Sequence, residues 1–310
     1  MIEKVETKRV EEIDLEEIFK FIWSVKYILL GCYFIAFIVI VVYVKSLPDI
    51  YRSDVKLSVH ASKSGGSALP GQLQGLASLA GVSVSKGGEK SDLALEVLKS
   101  RKFITQFVDK YDLLVPLMAA KSWSVGNGKL KLDEKLYDEK NNVWVRKVKA
   151  PRTKKPSAIE AYLRFSEILG VNEDSETGII TLYLDHVSPE VAARWLELLV
   201  ENIDQYMRAL DVSESQNSIE FLQKKLKETN LAEMKSIFYT LIEDQTRTIM
   251  LAEARENYLF VVVDPPYVPE IRHSPNRKII AVILGVLVLV VMVFGALVVF
   301  YVKRIGDEKA

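Results

Sequence analysis

The chain is 310 residues long, and its 41 Lys and Arg are balanced by 41 Asp and Glu, so it carries no formal net charge. That balance argues against nucleic acid as a partner, which selects for a basic excess. The single cysteine, Cys32, excludes an intramolecular disulfide and a cysteine metal site, and His60, His186 and His273 lack any metal-ligand spacing.

Residues 1–26 form an N-terminal segment, polar and mixed in charge over 1–20, followed by an uncharged apolar run over 27–44. As a helix that run is about 27 Å long, close to the ~30 Å hydrocarbon core of a bilayer. Trp23, Tyr27 and Tyr43 stand where interfacial aromatics belong, with Lys26 and Lys45 at the flanks. The acidic leader, and the lack of a small-residue cleavage pattern after the run, disfavour a cleaved signal peptide. A second uncharged run over 279–302 would be roughly 36 Å long, enough to span with tilt. Two transmembrane helices are therefore expected, with both termini on one side and a large loop on the other. Lys and Arg flank both sides in similar number, so charge alone does not orient the chain. The 303–310 tail is too short for an output domain, and the working part is expected in the loop.

Within the loop, the alternation of Val55, Leu57 and Val59 predicts a half-buried strand. Residues 61–88 are rich in Gly and Ser around an apolar stretch over 73–84. They read as a flexible surface loop, or as a loop lining the lumen of an oligomer. Ser91 is placed to cap an amphipathic helix bearing Leu95, Leu98, Phe103, Phe107 and Tyr111. Residues 116–156 read as irregular and basic, with Trp123, Trp144 and the run RKVKAPRTKKP. That pattern fits a solvated loop, or a surface for an acidic or sugar ligand. A short helix over 158–169, a turn at VNEDSETG and a strand over 178–185 complete the first part of an α/β base domain, residues 45–187.

No glycine or proline occurs between Glu190 and Asp264. Ser188 is placed as N-cap and Pro189 at the first helical position. Apolar residues then recur at helical spacing, at Val191, Trp195, Leu199, Ile203, Tyr206 and Leu210, and later at Ile219, Leu222 and Leu226. The pattern predicts a helical extension over 188–257: an outgoing helix over 188–229, about 60 Å long, and a returning helix over 231–257. Residues 258–278 supply a third strand and a proline-rich connector containing Pro265, Pro266, Pro269 and Pro275. The expected class is α+β, with a small mixed sheet near the membrane and a long protruding helix. Trp195, Leu199, Tyr206, Leu210 and Leu222 are the candidates for packing partly on the returning helix and partly on a neighbouring copy. Ala281 and Gly285 give the second span a small-residue face suited to helix packing.

Catalytic signatures are missing. Gly126–Lys129 lacks the spacing and the following Ser or Thr of a phosphate-binding loop, and there is no G-x-S-x-G or H-E-x-x-H. Acid pairs such as Glu243–Asp244 fit a solvated helix face better than a glycosidase pair. No catalytic, metal-ligating or cofactor-binding residue is assigned, and no cofactor is expected.

Several segments together resemble the Wzz-type polysaccharide co-polymerases, the chain-length determinant family. They are EEIDLEEIFKFIWSVKYIL before the first span, YRSDVKLSV after it, TGIITLYLDHVSPEVAARWLELLVENI, and YLFVVVDPPYVPEIRHSPNRKII running into the second span. The most diagnostic part is the proline-rich lead-in, Pro265, Pro266, Pro269 and Pro275, with Gly285 in the span. The resemblance covers nearly the whole chain. It implies a bacterial inner-membrane protein with cytoplasmic termini and a periplasmic main domain, assembled as a homo-oligomeric ring. It also implies a non-enzymatic regulator of O-antigen modal length in lipopolysaccharide. Its partners would be a membrane-embedded O-antigen polymerase and a lipid-linked polysaccharide. Relatives devoted to capsule or exopolysaccharide often carry or partner a tyrosine kinase. This chain has no nucleotide-binding module, which favours lipopolysaccharide and leaves enterobacterial common antigen, capsule or a secreted polymer as alternatives. A membrane-anchored glycan hydrolase is the rival from another class.

Overall fold

The computed structural model describes residues 23–59, 87–124 and 126–307. In chain order the elements are α1 (Lys26–Ser46), β1 (Tyr51–Val59), α2 (Gly87–Lys99), α3 (Arg101–Lys110), α4 (Leu114–Met118), β2 (Ala120–Ser124), β3 (Lys129–Leu132), β4 (Tyr137–Asp138), β5 (Val143–Trp144), α5 (Ala158–Ile168), β6 (Leu169–Glu173), β7 (Ile179–His186), α6 (Pro189–Glu228), α7 (Ala232–Ala254), β8 (Phe260–Asp264) and α8 (Arg277–Asp307). They form two compact units, Met1–Pro48 with Ser274–Ala310, and Asp49–His273.

The first unit pairs α1 with α8. Lys26–Ser46 and Arg277–Val302 are long and apolar enough to cross a membrane, and most of their side chains face outward. Where the helices pack, Gly285 is buried, and a Cβ built on it would lie 3.3 Å from the Tyr33 hydroxyl. A small residue at that point leaves room for the end of the Tyr33 side chain. The Arg277 Nη2 donates to the Leu47 carbonyl at 2.8 Å, tying the two polar ends of this unit.

The second unit is built on a four-stranded sheet in the order β6-β7-β1-β8. The α+β class is as expected, but all three pairings are antiparallel rather than mixed. Alternate residues divide the faces. Val55 and Leu57 of β1 lie opposite Leu182 and Ile180 of β7 and are fully buried, whereas Arg52, Asp54 and Lys56 take the other face. The edge strand β6 is an addition to the three expected strands. Its sequence LGVNE carries only two apolar side chains beside a glycine and two polar residues, so cross-strand pairing with β7, not local pattern, makes it a strand.

Helices cover the apolar face: α6 on β1 and β7, α5 on β6 and β7, and α2 on β1. Aromatic rings link the layers. Phe107 meets Phe165 edge-on at 5.6 Å between centroids, and Phe165 stacks on Trp195 at 6.1 Å. The single helix expected after Ser91 is two helices. Ser100 adopts an extended backbone and accepts from the Phe103 amide at 3.3 Å, starting α3 afresh, while Ser91 is buried in the interior of α2 and not at its N-terminus. The basic segment over 116–156 is irregular only in its last part, 145–156; before it two hairpins, β2–β3 and β4–β5, stand beside a small core of Ala119, Tyr137 and Trp144. Most of the Gly- and Ser-rich 61–88 segment, and with it the lumen-loop reading, lies outside the described residues.

The long helix α6 has 40 residues, about 60 Å at 1.5 Å per residue. The Ser188 hydroxyl accepts from the Val191 amide at 3.3 Å, and Pro189 occupies the first turn. Buried positions on α6 run from Pro189 to Ser215 and then stop, and on α7 only Ala252 is buried. The outer parts of α6 and α7 therefore pack on each other beyond the base core.

Candidate functional site

Of the five residues expected to pack between copies, the structure encloses two. Trp195 and Leu199, at 4% and 0% exposure, lie in the core of the protomer's own base and cannot reach a neighbour. A helical stripe records only that a face is covered, and here the cover is the sheet and α5. Tyr206 and Leu210 are half-buried against the same core, with Tyr206 edge-on to Phe103 at 5.7 Å, and Leu222 is half-buried farther out. The openly exposed apolar side chains of the helix pair and its link are others, among them Phe221, Leu231, Tyr239 and Met250.

The proline connector is fastened alongside β1. Ser53 Oγ donates to the Tyr267 carbonyl at 2.7 Å, the His273 amide donates to the Ile50 carbonyl at 2.8 Å, and Arg272 meets Asp49 at 3.1 Å. Pro269 is buried, Pro266 half-buried and Pro265 exposed. Pro275 and Gly285 belong to the helical unit.

A polar junction where α7 returns to β8 escaped the sequence reading. The Asp204 carboxylate of α6 accepts from the amides of Tyr258 at 3.0 Å and Leu259 at 2.8 Å. One turn pair along, Asp211 accepts from the Tyr258 hydroxyl and from Lys90 Nζ at 2.7 Å. Burial, and then the hydrogen bond to Asp211, push the Tyr258 phenol above its ordinary pKa, so it stays protonated and donating. The available signal was two acids seven residues apart on an otherwise apolar helix face.

On the opposite, solvent-facing side of the sheet, Arg52 grips Asp185 with two hydrogen bonds of 2.7 and 2.6 Å and lies 3.9 Å over the Tyr183 ring. The ring crosses Gly170, where a Cβ would come within 1.9 Å of Tyr183 Cζ. In the hairpin region, the buried Arg146 guanidinium holds Glu160 at 3.0 and 2.7 Å and also donates to the carbonyls of Thr153 and Lys154. The Arg146 bond, and then the Ser157 amide, lower the Glu160 pKa to about 2.

These groups support geometry rather than reaction. His186 Nδ1 accepts from the Ser188 amide at 3.0 Å, so Nε2 carries the proton and donates to the Pro116 carbonyl at 3.1 Å. Burial lowers its pKa, and the neutral ring has no lone pair left to act as a base. Among the described residues no cluster of three His, Cys, Asp or Glu could hold a metal. One groove of about 460 Å³ lies between α6 and β8, and a smaller one of about 220 Å³ lies beside Pro156.

Residues 11–111 match the family model described as Wzz, chain length determinant protein. Among curated proteins nothing matches. Solved structures that are similar include two polysaccharide co-polymerases. One is a full-length bacterial polysaccharide co-polymerase, 13% identical, covering 94% of this chain and 99% of its own, with a TM-score of 0.41. The other is a fragment of WzzB, a polysaccharide co-polymerase from Salmonella Typhimurium, 16% identical, covering 73% and 100%, with a TM-score of 0.30. The match over residues 11–111 makes that stretch, the first helical unit's N-terminal part through β1 to α3, similar to the Wzz chain-length determinant family.

Proposed function

We propose that this chain is a polysaccharide co-polymerase that sets the modal length of lipopolysaccharide O-antigen. It acts as a non-enzymatic, homo-oligomeric scaffold on a separate membrane-embedded polymerase. The family match over residues 11–111 carries this reading. The two apolar helices fit a two-pass inner-membrane protein, with residues 1–26 and 303–310 cytoplasmic and the main domain periplasmic. The helix pair formed by α6 and α7 fits a role in spacing and self-association. Tyr206, Leu210 and Leu222, which keep part of their surface outside the core, stay as candidates for packing between copies.

Deletion of the gene, followed by a gel of total lipopolysaccharide, tests the proposal. Loss of the modal cluster with synthesis intact is the expected result. An unchanged ladder would move the assignment to enterobacterial common antigen, capsule or a secreted polymer.

A further inference from the structure

The hairpin region is a folded cationic attachment in an otherwise acidic chain. From Lys121 to Lys155 there are eleven Lys and Arg against four Asp and Glu, so the remainder, with 41 of each sign in the whole, holds 30 against 37. The attachment has its own small core and is fixed to α5 through Arg146 and Glu160. Along its last extended stretch, side chains alternate as extended backbone requires. Trp144 and Arg146 are buried, and Val143, Val145, Lys147 and Lys149 are exposed. The result is one face bearing two valines followed by two lysines, and neither lysine has an ion-pair partner among the described residues.

The 460 Å³ groove has the complementary chemistry. Val55 and Phe260 floor it but are covered, so its accessible apolar surface includes Val262, Pro265 and Pro266, while Glu197, Glu201 and Glu256 give it negative charge. Glu197 shares an exposed pair with Arg194 at 2.6 Å and Glu201 accepts from Gln205 at 3.0 Å, while the fourth acid, Asp204, is committed to the Tyr258 and Leu259 amides. Its one cation, Arg208, is held between Asp204 and the Glu256 carbonyl.

The two surfaces belong to opposite ends of the strand order. The hairpins follow α4, which packs on α5, and α5 lies over β6 and β7. The groove belongs to α6, β1 and β8. Unlike surfaces at opposite ends of a protomer are what head-to-tail association uses, and repeated application gives a ring or an open array. We propose that the Val143–Lys149 face of one copy docks in the Glu197–Glu201–Glu256 groove of the next. The valines would meet Val262, Pro265 and Pro266, and the lysines would set register against the acids. This rests on the self-association reading above and names the surfaces that perform it.

The test is a charge-swap series in the full chain, reconstituted in neutral-lipid nanodiscs or detergent and sized by light scattering and crosslinking. K147E/K149E and E197K/E201K are each expected to weaken self-association about tenfold or more, and the combined variant to restore it. All four residues are exposed, and helical content and melting temperature check that each variant folds. If either pair leaves the assembly unchanged, the interface is wrong. That outcome would include a lysine face that serves an anionic polymer instead. If both pairs disrupt assembly in folded protein and their combination does not restore it, the pairing of these two surfaces is also wrong. A wild-type chain that is monomeric under all conditions would remove the self-association reading itself.

Discussion

The Arg146 guanidinium and the Glu160 carboxylate close two hydrogen bonds of 3.0 and 2.7 Å, and the same carboxylate takes the Ser157 amide at 2.9 Å. One acid therefore completes a helix capping box and anchors the hairpins, linking local structure to the placement of the surface that precedes the helix. Glu160→Gln keeps the shape but leaves Arg146 without its counter-charge, and should cost about 2 kcal/mol at neutral pH.

The same pair gives a pH prediction. Glu160 has a folded pKa of about 2 against a model-compound value of 4.5. Because the folded value is depressed, its stabilisation is fully present above 4.5 and is lost as pH falls toward 2. Denaturation curves of wild type and Glu160→Gln should converge over that window. A difference that stays constant down to its lower end would show that charge is not what the pair contributes.

Asp204→Ala should orphan the amides of Tyr258 and Leu259, both in the buried junction, at about 3 kcal/mol. Asp211→Asn keeps an acceptor for the Tyr258 hydroxyl and should cost less. Hydrogen exchange read at residues 255–260 checks this: Asp204→Ala should accelerate exchange there well before the rest of the sheet. Uniform acceleration would mean that the junction is not a separate unit of stability.

Gly170→Ala places a methyl where the Tyr183 ring lies and should cost about 1–2 kcal/mol, since the ring must leave its place under Arg52. In a Tyr183→Ala background the same change should be nearly free. A double-mutant cycle without that coupling would contradict the close approach of the two residues.

In the helical unit, Gly285 lies against Tyr33. Cysteines at these two positions, in a Cys32→Ser background, should be bridged within one chain by a short bismaleimide reagent, which replaces the reach of the tyrosine side chain. Failure to crosslink would argue against this pairing of the two helices.

Much of the architecture was legible because its signals are local and long. Two apolar runs, the cap at Ser188 and Pro189, and unbroken helical periodicity marked α1, α8, α6 and α7 directly. Alternation marked β1 and β7. The elements that escaped depend on partners distant in sequence. The strand β6 exists through its pairing with β7, and the β2–β5 hairpins exist around Tyr137 and Trp144, which no short window displays. The apolar stripe on α6 was correctly placed on one face, but its occupant was ambiguous. Sheet and neighbour are equally apolar covers, and only the folded chain assigns Trp195 and Leu199 to the former. The Asp204–Tyr258 junction joins residues 54 positions apart, beyond any spacing rule.

The most direct test is reconstitution of the polymerase in lipid with and without this chain, with polymer length read on a gel. A modal cluster that forms only when both proteins are present, with no shortening when the chain alone meets finished polymer, is the predicted result. Shortening of finished polymer by the chain alone would identify a hydrolase and contradict the scaffold reading.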